Sequence, residues 1–342
     1  MAPQNALEKV APISEKVGGI APPRVTVIIR TYNRADRILR AVESAMRQSF
    51  QDKKIIVIDD GSKDGTRALL ENLQGIEYHW QENKGTWGAM VTGLSMVEGE
   101  YVAFLDSDDE WNPDYLARSI ELLEQHRAAF VFTNCLNFTS EGRKLQGLFG
   151  GNPVMRQYIS EIAVGTSRPL SSAETRHLFI RYIPAPSSAI VARRSLIRSE
   201  WKGRTKAAAE DWNIILRMVF DHQASSVMET APMWTKWVHG DNIADGHEDP
   251  RKYCHLQEDS RAFMILNYGH QMTREEREFI ARELAELNFD CAYHLASDGK
   301  LGASLLHYLA SFRYRPAIRP VIAACKSTLR AGLVGIRART KK

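Results

Sequence analysis

The chain has 342 residues, of which 44% are hydrophobic and 25% charged, which is ordinary for a globular protein large enough to bury a substantial core. Its four cysteines are far apart and form no C-x-x-C pair, which argues against a disulfide framework or a zinc knuckle and fits a reducing compartment. Residues 1–19 lack the apolar centre of a signal peptide, and no apolar run approaches the ~18 residues of a membrane span. We therefore expect a cytoplasmic protein.

The net charge of +4 hides an asymmetry along the chain. No acidic residue follows Asp298, whereas ten basic residues do. These are Lys300, Arg313, Arg315, Arg319, Lys326, Arg330, Arg337, Arg339, Lys341 and Lys342. Because they exceed the net charge of the whole chain, the part before them is acidic overall. An acidic body with a basic tail indicates an anionic surface as a partner, either nucleic acid or a phospholipid leaflet.

The periodicity of the tail favours the membrane and argues against nucleic acid. At helical spacing, a set of apolar residues shares one face, and a set of basic residues lines its edge. The apolar set is Ile318, Val321, Ile322, Cys325, Leu329, Leu333 and Ile336, and the basic set is Arg319, Lys326, Arg330 and Arg337. The pattern is typical of an interfacial helix on an anionic membrane, here the inner face of the cell membrane. A terminal helix docked on the protein's own core stays open as the alternative.

Short apolar runs that begin 22 to 29 residues apart predict five β-strands. They are Val25–Ile29, Lys54–Ile58, Ile76–Trp80, Tyr101–Leu105 and Ala129–Thr133. Between them, Arg37–Gln48 and Asn112–His126 carry apolar residues at helical spacing. Strand and helix alternating at this pitch predict an α/β fold with a mostly parallel central sheet flanked by helices.

The regular alternation weakens in residues 135–172, which we interpret as a long connection with some local structure. Helical periodicity returns at Ala207–Phe220. It dominates Pro250–Leu309, where Thr273 and Glu276 form a capping-box pattern. The predicted units are a flexible segment at 1–20, a catalytic α/β domain at 21–249, a helical extension at 250–312 and a basic amphipathic tail at 313–342.

The predicted strand Tyr101–Leu105 ends in three carboxylates within four positions, Asp106, Asp108 and Asp109. Carboxylates this close repel one another, and a bound divalent cation is the usual reason for a fold to keep them. The carboxyl end of a buried parallel strand is also where open α/β sheets bind ligands. The sequence therefore predicts a metal site here, with an acidic loop that caps the next helix as the alternative.

Polar residues also follow the first two predicted strands. Tyr32 can stack on a base, and Arg34 can meet a phosphate through two hydrogen bonds. Asp59 and Asp60 precede a glycine turn, where a carboxylate can accept a hydrogen bond from a base or a ribose. Capping of the following helix is the alternative for this turn.

Two further constellations lie at predicted helix starts. Lys84 and Gly85 belong to a turn whose amides could face an anion, although the turn has no phosphate-loop motif. Glu210 and Asp211 lie in the predicted helix after residue 207, where acidic residues complement the helix dipole. A metal-binding acidic cluster and a separate carboxylate are the two charged parts that displacement of a phosphate leaving group requires.

Taken in order, these motifs closely resemble the family 2 glycosyltransferases over about residues 24–217. The motifs are Val25–Arg34, Ile58–Ser62, Asn83–Gly85, Phe104–Asp109 and Glu210–Asp211. The resemblance implies a GT-A fold with a Rossmann-like sheet, an Mn²⁺ or Mg²⁺ ion, and inversion at the anomeric carbon. It implies transfer of one sugar from a nucleotide-diphosphate sugar, first of all a UDP-sugar. The implied acceptor is a hydroxyl of a glycan or lipid-linked precursor in cell-surface polysaccharide biosynthesis.

The resemblance also implies a role for each matching residue. The set expected to bind the nucleotide sugar is Thr31, Tyr32, Arg34, Asp59, Asp60, Lys84, Gly85 and Asp106. Within it, Asp60 would pair with the base, with Asp59 assisting. The set expected to hold the metal ion is Asp106, Asp108 and His239, and imidazole is a competent ligand for Mn²⁺. Asp211 would be the general base, with Glu210 beside it.

Three positions depart from the family pattern. Arg30 stands where relatives usually carry proline, and Met90 and Thr92 stand where they carry arginine and asparagine. These departures bear on one donor contact and on the identity of the base. The Q-x-x-R-W signature of processive synthases is absent, so transfer of a single sugar is the natural expectation.

Two other classes of protein stay open. A sugar-nucleotide nucleotidyltransferase would share the sheet and the acidic cluster, but it should carry a glycine-rich loop after the first strand, which Thr31–Arg34 lacks. A catalytically silent GT-A scaffold could keep the fold, but it would have little need for Asp106, Asp108 and Asp211 together.

Overall fold

The computed structural model describes residues 22–150, 152–160, 162–182, 185–197, 210–239, 250–317 and 319–325. The side chains of residues 210, 211 and 250–256 lie outside that description. The predicted segment 1–20 and residues 326–342 of the predicted tail also lie outside it, as do residues 240–249. The described residues form a mixed sheet covered by helices, followed by a helical region.

The sheet contains ten strands in the described part of the chain. In chain order they are β1 Val25–Thr31, β2 Lys53–Asp59, β3 Glu77–Trp80, β4 Tyr101–Asp106, β5 Asp109–Trp111, β6 Phe130–Thr139, β7 Lys144–Leu145, β8 Ser167–Leu170, β9 Ile190–Arg193 and β10 Ser226–Val238. Their spatial order is β3-β2-β1-β4-β9-β6-β10-β5, with β7 beside β6 and β8 beside β10. The helices are α1 Ile38–Met46, α2 Thr66–Leu70, α3 Gly85–Ser95, α4 Tyr115–Gln125, α5 Pro153–Ile159, α6 Ser172–Arg181, α7 Glu210–Asp221, α8 Pro250–Tyr268, α9 Arg274–Ser297 and α10 Leu301–Tyr314.

The strands β1 to β4 pair in parallel and correspond to the first four predicted runs. Their central residues, such as Val27, Val57 and Ala103, are fully buried, because helices cover both faces of a parallel sheet. The predicted α/β architecture, a central sheet flanked by helices, is confirmed. The sheet is nevertheless more mixed than the spacing of the runs predicts.

The fifth predicted run forms β6, but β6 does not pair with β4. The four-residue strand β9 lies between them and is antiparallel to both, with Val191 opposite Ala103 and Val131. Residues 135–172, predicted as a long connection, extend β6 and supply β7, α5 and β8. Strands β7 and β8 have only two and four residues, too few to show a period in the sequence.

The longest strand, β10, has 13 residues and is absent from the sequence prediction. It runs parallel to β6 with register shifts on both sides of Pro232. Proline cannot donate a ladder hydrogen bond, so an irregularity is expected there. The second half of β10 pairs antiparallel with β5, with Lys236 opposite Asp109. This pairing brings the end of β10 to the acidic cluster.

The predicted helical extension consists of α8, α9 and α10. The predicted capping box begins α9: the Glu276 amide donates to Thr273 Oγ1 at 3.2 Å, and the Thr273 amide donates to Glu276 Oε2 at 2.8 Å. Arg176 of α6 donates to both oxygens of Glu276, and Tyr268 stacks on Phe220 with ring centroids 4.6 Å apart. Within the described ranges, every helix is too short or too polar to cross a bilayer.

A buried carboxylate joins α4 to β10. Glu229 is 1% exposed, and it accepts hydrogen bonds from Arg118 Nε at 3.0 Å and from the Ala231 amide at 2.9 Å. Removing the cation from such a pair leaves an uncompensated charge inside the protein. Arg118 is therefore expected to matter far more than an arginine in an exposed pair.

We predict that Arg118→Met lowers the free energy of unfolding by about 3 kcal/mol, because Glu229 loses its counter-charge. The matched control is Arg274→Met, which removes an exposed pair with Glu278 and should leave stability nearly unchanged. Urea unfolding followed by tryptophan fluorescence measures both variants. Equal effects would contradict the interpretation of the buried pair.

Candidate functional site

The register of the parallel strands brings three strand ends together. Thr31 at the end of β1 lies beside Asp59 at the end of β2, and Arg30 lies beside Asp106 at the end of β4. The loops after parallel strands form the ligand-binding crevice of open α/β sheets. The predicted donor-binding and metal-binding residues that follow these strands therefore share one edge.

Asp59 is fully buried and engaged by the fold. The Ser62 amide donates to its Oδ1 at 2.8 Å, and the Tyr78 hydroxyl donates to its Oδ2 at 2.7 Å. Burial and this hydrogen bond to Asp59 raise the pKa of Tyr78. Both oxygens of Asp59 thus hold the loop after β2 in shape.

The two carboxylate oxygens of Asp60 have different surroundings. Its Oδ1 accepts from Gln81 Nε2 at 2.6 Å and from the Lys84 amide at 2.9 Å, while no group in the described ranges donates to Oδ2. The Thr92 hydroxyl donates to Gln81 Oε1 at 2.7 Å. Thr92, which departs from the family pattern, therefore orients the amide that holds Asp60. Met90, the neighbouring departure, is fully buried in the core.

The loops after β1 and β2 are hydrogen-bonded to each other. The Asn33 amide donates to Ser62 Oγ at 2.9 Å, and Asn33 Oδ1 accepts from the Lys63 amide at 2.8 Å. Asn33 has φ of 50°, a left-handed conformation that asparagine adopts more readily than most residues. The Asp60 amide donates to the Thr31 carbonyl at 2.9 Å. The two loops thus form one connected wall.

Two glycines in this region have left-handed backbones for different reasons. Gly61 has φ of 85°, and a Cβ there would lie 2.9 Å from the Asn83 nitrogen. Gly85, exposed beside Lys84 at the start of α3, has φ of 75° with nothing within 4 Å of such a Cβ. Only Gly61 is required for close approach of two backbone segments.

The side chains of Thr31, Tyr32 and Arg34 lie at the same sheet edge. Thr31 Oγ1 is buried and has no hydrogen-bond partner among the residues that the structure describes. Tyr32 is 44% exposed, so its ring is accessible to a stacking partner. The Arg34 charge lies close enough to Asp108 to lower the pKa of that carboxyl.

Arg30 contacts Asp106, the first residue of the acidic cluster. Its guanidinium donates to Asp106 Oδ1 at 3.2 Å, to Ser187 Oγ at 3.0 Å and to the Thr86 carbonyl at 3.4 Å. Asp106 therefore has a cation of the protein as a partner. Neither the pairing nor Ser187 was predicted, although the register of adjacent parallel strands would have placed Arg30 beside Asp106.

The structure brings together Asp108 and His239 of the predicted metal-binding set. His239 Nε2 lies 2.9 Å from Asp108 Oδ2, and the two side chains are 12% and 16% exposed. The antiparallel pairing of Asp109 with Lys236 contributes to this meeting, because it places the end of β10 alongside the residues that precede β5. Burial opposes ionisation of Asp108, but the hydrogen bond with His239 and the charges of His239 and Arg34 hold its pKa below the usual value.

Asp109, the third acid, has a different environment. It is 4% exposed, and the Ser188 hydroxyl donates to its Oδ2 at 2.6 Å. Burial and the neighbouring carboxylates of Asp108 and Asp106 raise the pKa of Asp109 well above its usual value. Asp109 is thus part of the core beneath the cluster, which the D-x-D-D pattern alone does not reveal.

Arg40 of α1 contacts the loop that carries Asp108. The sequence analysis did not predict this contact. Its guanidinium donates to the Asp108 carbonyl at 3.3 Å and lies 4.5 Å from the centre of the Trp237 ring. A cation over an indole face is favourable. This contact links α1 to the end of β10, next to His239.

The predicted catalytic acids Glu210 and Asp211 are the first two residues of α7, and their side chains lie outside the described residues. The next two residues, Trp212 and Asn213, are buried. Neither amide atom of Asn213 has a hydrogen-bond partner within the described part of the chain. The roles of Glu210 and Asp211 stay predictions.

Comparison with known proteins finds a family match over part of the chain. The family model described as "Glycosyl transferase family 2" matches residues 26–161. The chain is 35% identical over 127 residues to the succinoglycan biosynthesis protein ExoO of Rhizobium meliloti, covering 36% of each chain. It is 38% identical over 120 residues to the GalNAc(5)-diNAcBac-PP-undecaprenol beta-1,3-glucosyltransferase of Campylobacter jejuni, covering 33% of this chain and 38% of that protein. The chain thus spans well under half the length of these two relatives.

Solved structures share the fold over most of the chain. S. aureus TarS 1-349 in complex with UDP-GlcNAc aligns with a TM-score of 0.58 at 15% identity, covering 90% of this chain and 92% of that one. The mannosyltransferase PcManGT from Pyrobaculum calidifontis, in complex with GDP-Man and Mn²⁺, aligns with a TM-score of 0.51 at 18% identity, covering 96% and 87%. The predicted GT-A fold is confirmed. Residues 26–161 belong to glycosyltransferase family 2, as the motifs predicted.

We predict that Gly61→Ala destabilises the protein more than Gly85→Ala does. Both variants place alanine in a left-handed backbone, at a cost of about 1 kcal/mol. At Gly61 the new Cβ also meets the Asn83 nitrogen at 2.9 Å, so the loop must shift at a further cost of about 1 kcal/mol or more. Urea unfolding of the two variants measures the difference, and equal losses would show that the contact is relieved without cost.

Proposed function

We propose that this chain is an inverting glycosyltransferase. It transfers one sugar from a nucleotide-diphosphate sugar to a hydroxyl of a glycan or lipid-linked acceptor in cell-surface polysaccharide biosynthesis. The observation that carries the proposal is the meeting of Asp108 and His239 at the same sheet edge as Thr31 and Asp60. The family of residues 26–161 supports the reaction class, and the names of the succinoglycan and undecaprenol-linked relatives support the acceptor class.

Asp108 and His239 would hold a divalent metal ion, with Asp106 beside them. Their 2.9 Å separation is close to the about 3.0 Å between adjacent ligands of an octahedral ion with bonds of about 2.1 Å. A carboxylate and an imidazole fit Mn²⁺ or Mg²⁺. When bound, the ion would stabilise the negative charge of the departing diphosphate. The Mn²⁺ in the PcManGT complex supports this choice of ion.

The loops after β1 and β2 would bind the nucleoside. The unshared oxygen of Asp60 can accept from a base N–H, such as that of uracil, and the Thr31 hydroxyl lies nearby with spare hydrogen-bonding capacity. The Tyr32 ring can stack on the base, while Asp59 acts by shaping the loop. Lys84 and the first amides of α3 would face the diphosphate. A UDP-sugar is therefore the first donor to test, and the UDP-GlcNAc complex of TarS supports it.

Asp211 would act as the general base, with Glu210 beside it shaping the acceptor site. The acceptor oxygen forms a bond with the anomeric carbon and gives its proton to Asp211. The bond from that carbon to the diphosphate oxygen breaks on the opposite face, and its electron pair leaves with the nucleoside diphosphate. Inversion follows from this single displacement. The first turn of a helix stabilises the negative charge that such a base needs.

We predict that two variants separate donor binding from chemistry. Asp108→Ala should abolish the Mn²⁺-dependent rise in melting temperature that UDP causes, because binding stabilises the fold only while the site is intact. Asp211→Asn should keep that rise and lose sugar transfer by about 10²-fold or more, because it removes the proton acceptor. The readouts are thermal shifts with UDP, GDP, dTDP and CMP, each with and without Mn²⁺, and release of UDP in the presence of acceptor.

The control Asp290→Asn, at an exposed position of α9, should behave as the unmodified chain in both readouts. Unchanged turnover in Asp211→Asn would remove Asp211 from its role. Release of pyrophosphate from a sugar phosphate and a nucleoside triphosphate would replace the proposal by a nucleotidyltransferase. Silence with every nucleotide would favour a scaffold without catalysis.

We propose in addition that the C-terminal region lies on an anionic phospholipid surface, at the inner face of the cell membrane. The outer face of α10 exposes four large apolar residues, and two more follow in the described part of the tail. They are Leu305, Leu306, Leu309, Phe312, Val321 and Ile322. An exposed apolar face of this size marks an interaction surface. Because ten basic residues and no acid follow Asp298, the charge of the region matches an anionic bilayer.

We predict that replacing Leu306 and Leu309 together by serine lowers binding to phosphatidylglycerol vesicles by about tenfold or more, because two buried side chains each contribute about 1.5 kcal/mol or more. The matched control replaces Leu69 and Leu266, which are exposed elsewhere, and should bind normally. Vesicle sedimentation, with phosphatidylcholine vesicles as the uncharged reference, measures this. Equal binding would overturn the proposal, and a dimer lost only in the first variant would assign the face to a second copy of the chain.

A further inference from the structure

The C-terminal helices contain a second group of metal-binding side chains, which belong to neither the sheet edge nor the membrane face. Glu258 on α8, Cys291 on α9 and His307 on α10 each offer one ligand atom, and these atoms lie within 4.8 Å of one another. We propose that the three residues form a structural site for Zn²⁺, which links the helices of the extension.

The donor set is typical of zinc. Cysteine thiolate, histidine nitrogen and carboxylate oxygen bind Zn²⁺ at about 2.0 to 2.3 Å in tetrahedral sites. Ligand atoms in such a site are about 3.3 to 3.8 Å apart. The three ligand atoms here lie within 4.8 Å of one another, so side-chain movements of about 1 Å would bring them to the distances of a zinc site. A water molecule can complete the four positions. The set differs from the carboxylate and imidazole of Asp108 and His239, which contain no sulfur.

The His307 ring is oriented by a second residue. Asn288, fully buried one turn before Cys291, donates its amide nitrogen to the Leu284 carbonyl at 2.9 Å. Its Oδ1 therefore accepts from His307 Nδ1 at 3.0 Å. Histidines that bind a metal are commonly oriented by a hydrogen bond from a ring nitrogen to a neighbouring acceptor. Asn288 thus fixes the orientation of the His307 ring within the cluster.

Burial and access also fit a structural ion. Cys291 is 1% exposed, which protects a thiolate from oxidation once a metal holds it. Glu258 and His307 are 22% and 20% exposed at their side chains, and Oε2 of Glu258 lies 3.7 Å from His307 Nδ1. The partial exposure of Glu258 and His307 lets an ion reach the cluster from solvent. On binding, the Cys291 thiol releases its proton to water, so affinity rises with pH.

The site would hold α10 against the rest of the extension. Each ligand comes from a different helix, so one ion joins all three. The other polar links of α10 to α9 are modest: the Ser304 and Ser311 hydroxyls donate to the carbonyls of Ala292 and Ala285 at 2.8 and 2.7 Å. Metal binding by a folded site adds its free energy to folding. The ion would therefore stabilise the helix that carries the proposed membrane face.

Cobalt provides a direct test, because Co²⁺ occupies zinc sites and shows thiolate-to-metal charge-transfer absorption only when sulfur is a ligand. Metal-free full-length chain should bind Co²⁺ with this absorption, and Zn²⁺ should displace it and raise the melting temperature. Cys291→Ser should lose the absorption and the thermal shift, whereas Cys325→Ser, at an exposed cysteine, should keep both. His307→Gln should weaken Zn²⁺ binding by about tenfold or more.

X-ray absorption of the zinc-loaded chain should show sulfur at about 2.3 Å from the metal, a readout that requires no variant. Absence of the cobalt absorption, or its persistence in Cys291→Ser, would overturn the proposal. The outcome is independent of glycosyl transfer, because the Mn²⁺-dependent effect of UDP depends on Asp108 and the cobalt absorption depends on Cys291.

Discussion

The parallel pairing of β1 with both β2 and β4 is the constraint on which the candidate site depends. It aligns Thr31 with Asp59 and Arg30 with Asp106, so loops that are far apart in sequence begin at one edge. A slip by one residue would turn these side chains to the opposite face. The register is held because the three strands are apolar along their length and buried on both faces. The arrangement of side chains at the edge therefore depends on the packing of the strands that lead to it.

The acidic cluster at this edge shows three ways in which a fold accommodates negative charge. Asp106 is paired with Arg30, which comes from the adjacent strand. Asp108 is held ionised by His239 and Arg34 despite its burial. Asp109 is placed where the charged form is disfavoured, and it accepts a hydrogen bond from Ser188. Adjacent positions in the sequence thus have unequal roles, because the chain changes from β4 to β5 between them.

The parallel half of the sheet was predictable because each strand there is a continuous apolar run between helical segments. Strands β9 and β10 were not, since β9 has only four residues and Pro232 interrupts the period of β10. These strands supply part of the site: β10 carries the chain to His239, and Ser188 lies two residues before β9. His239 could be named only from the family pattern, and the pairing of Arg30 needed the register. Side-chain spacing along one strand contains no information about its neighbour.

The hydrogen bonds of Asn33 to Ser62 and Lys63 have an evolutionary consequence. Because each loop completes the backbone hydrogen bonding of the other, a new shape in one is compatible only with a matching change in the other. The two loops can therefore diversify only as a pair, along a narrow path of compensating substitutions. A chimaera that exchanged a single loop between relatives would inherit a mismatch in its backbone, whereas exchange of both would transfer an intact pair of loops.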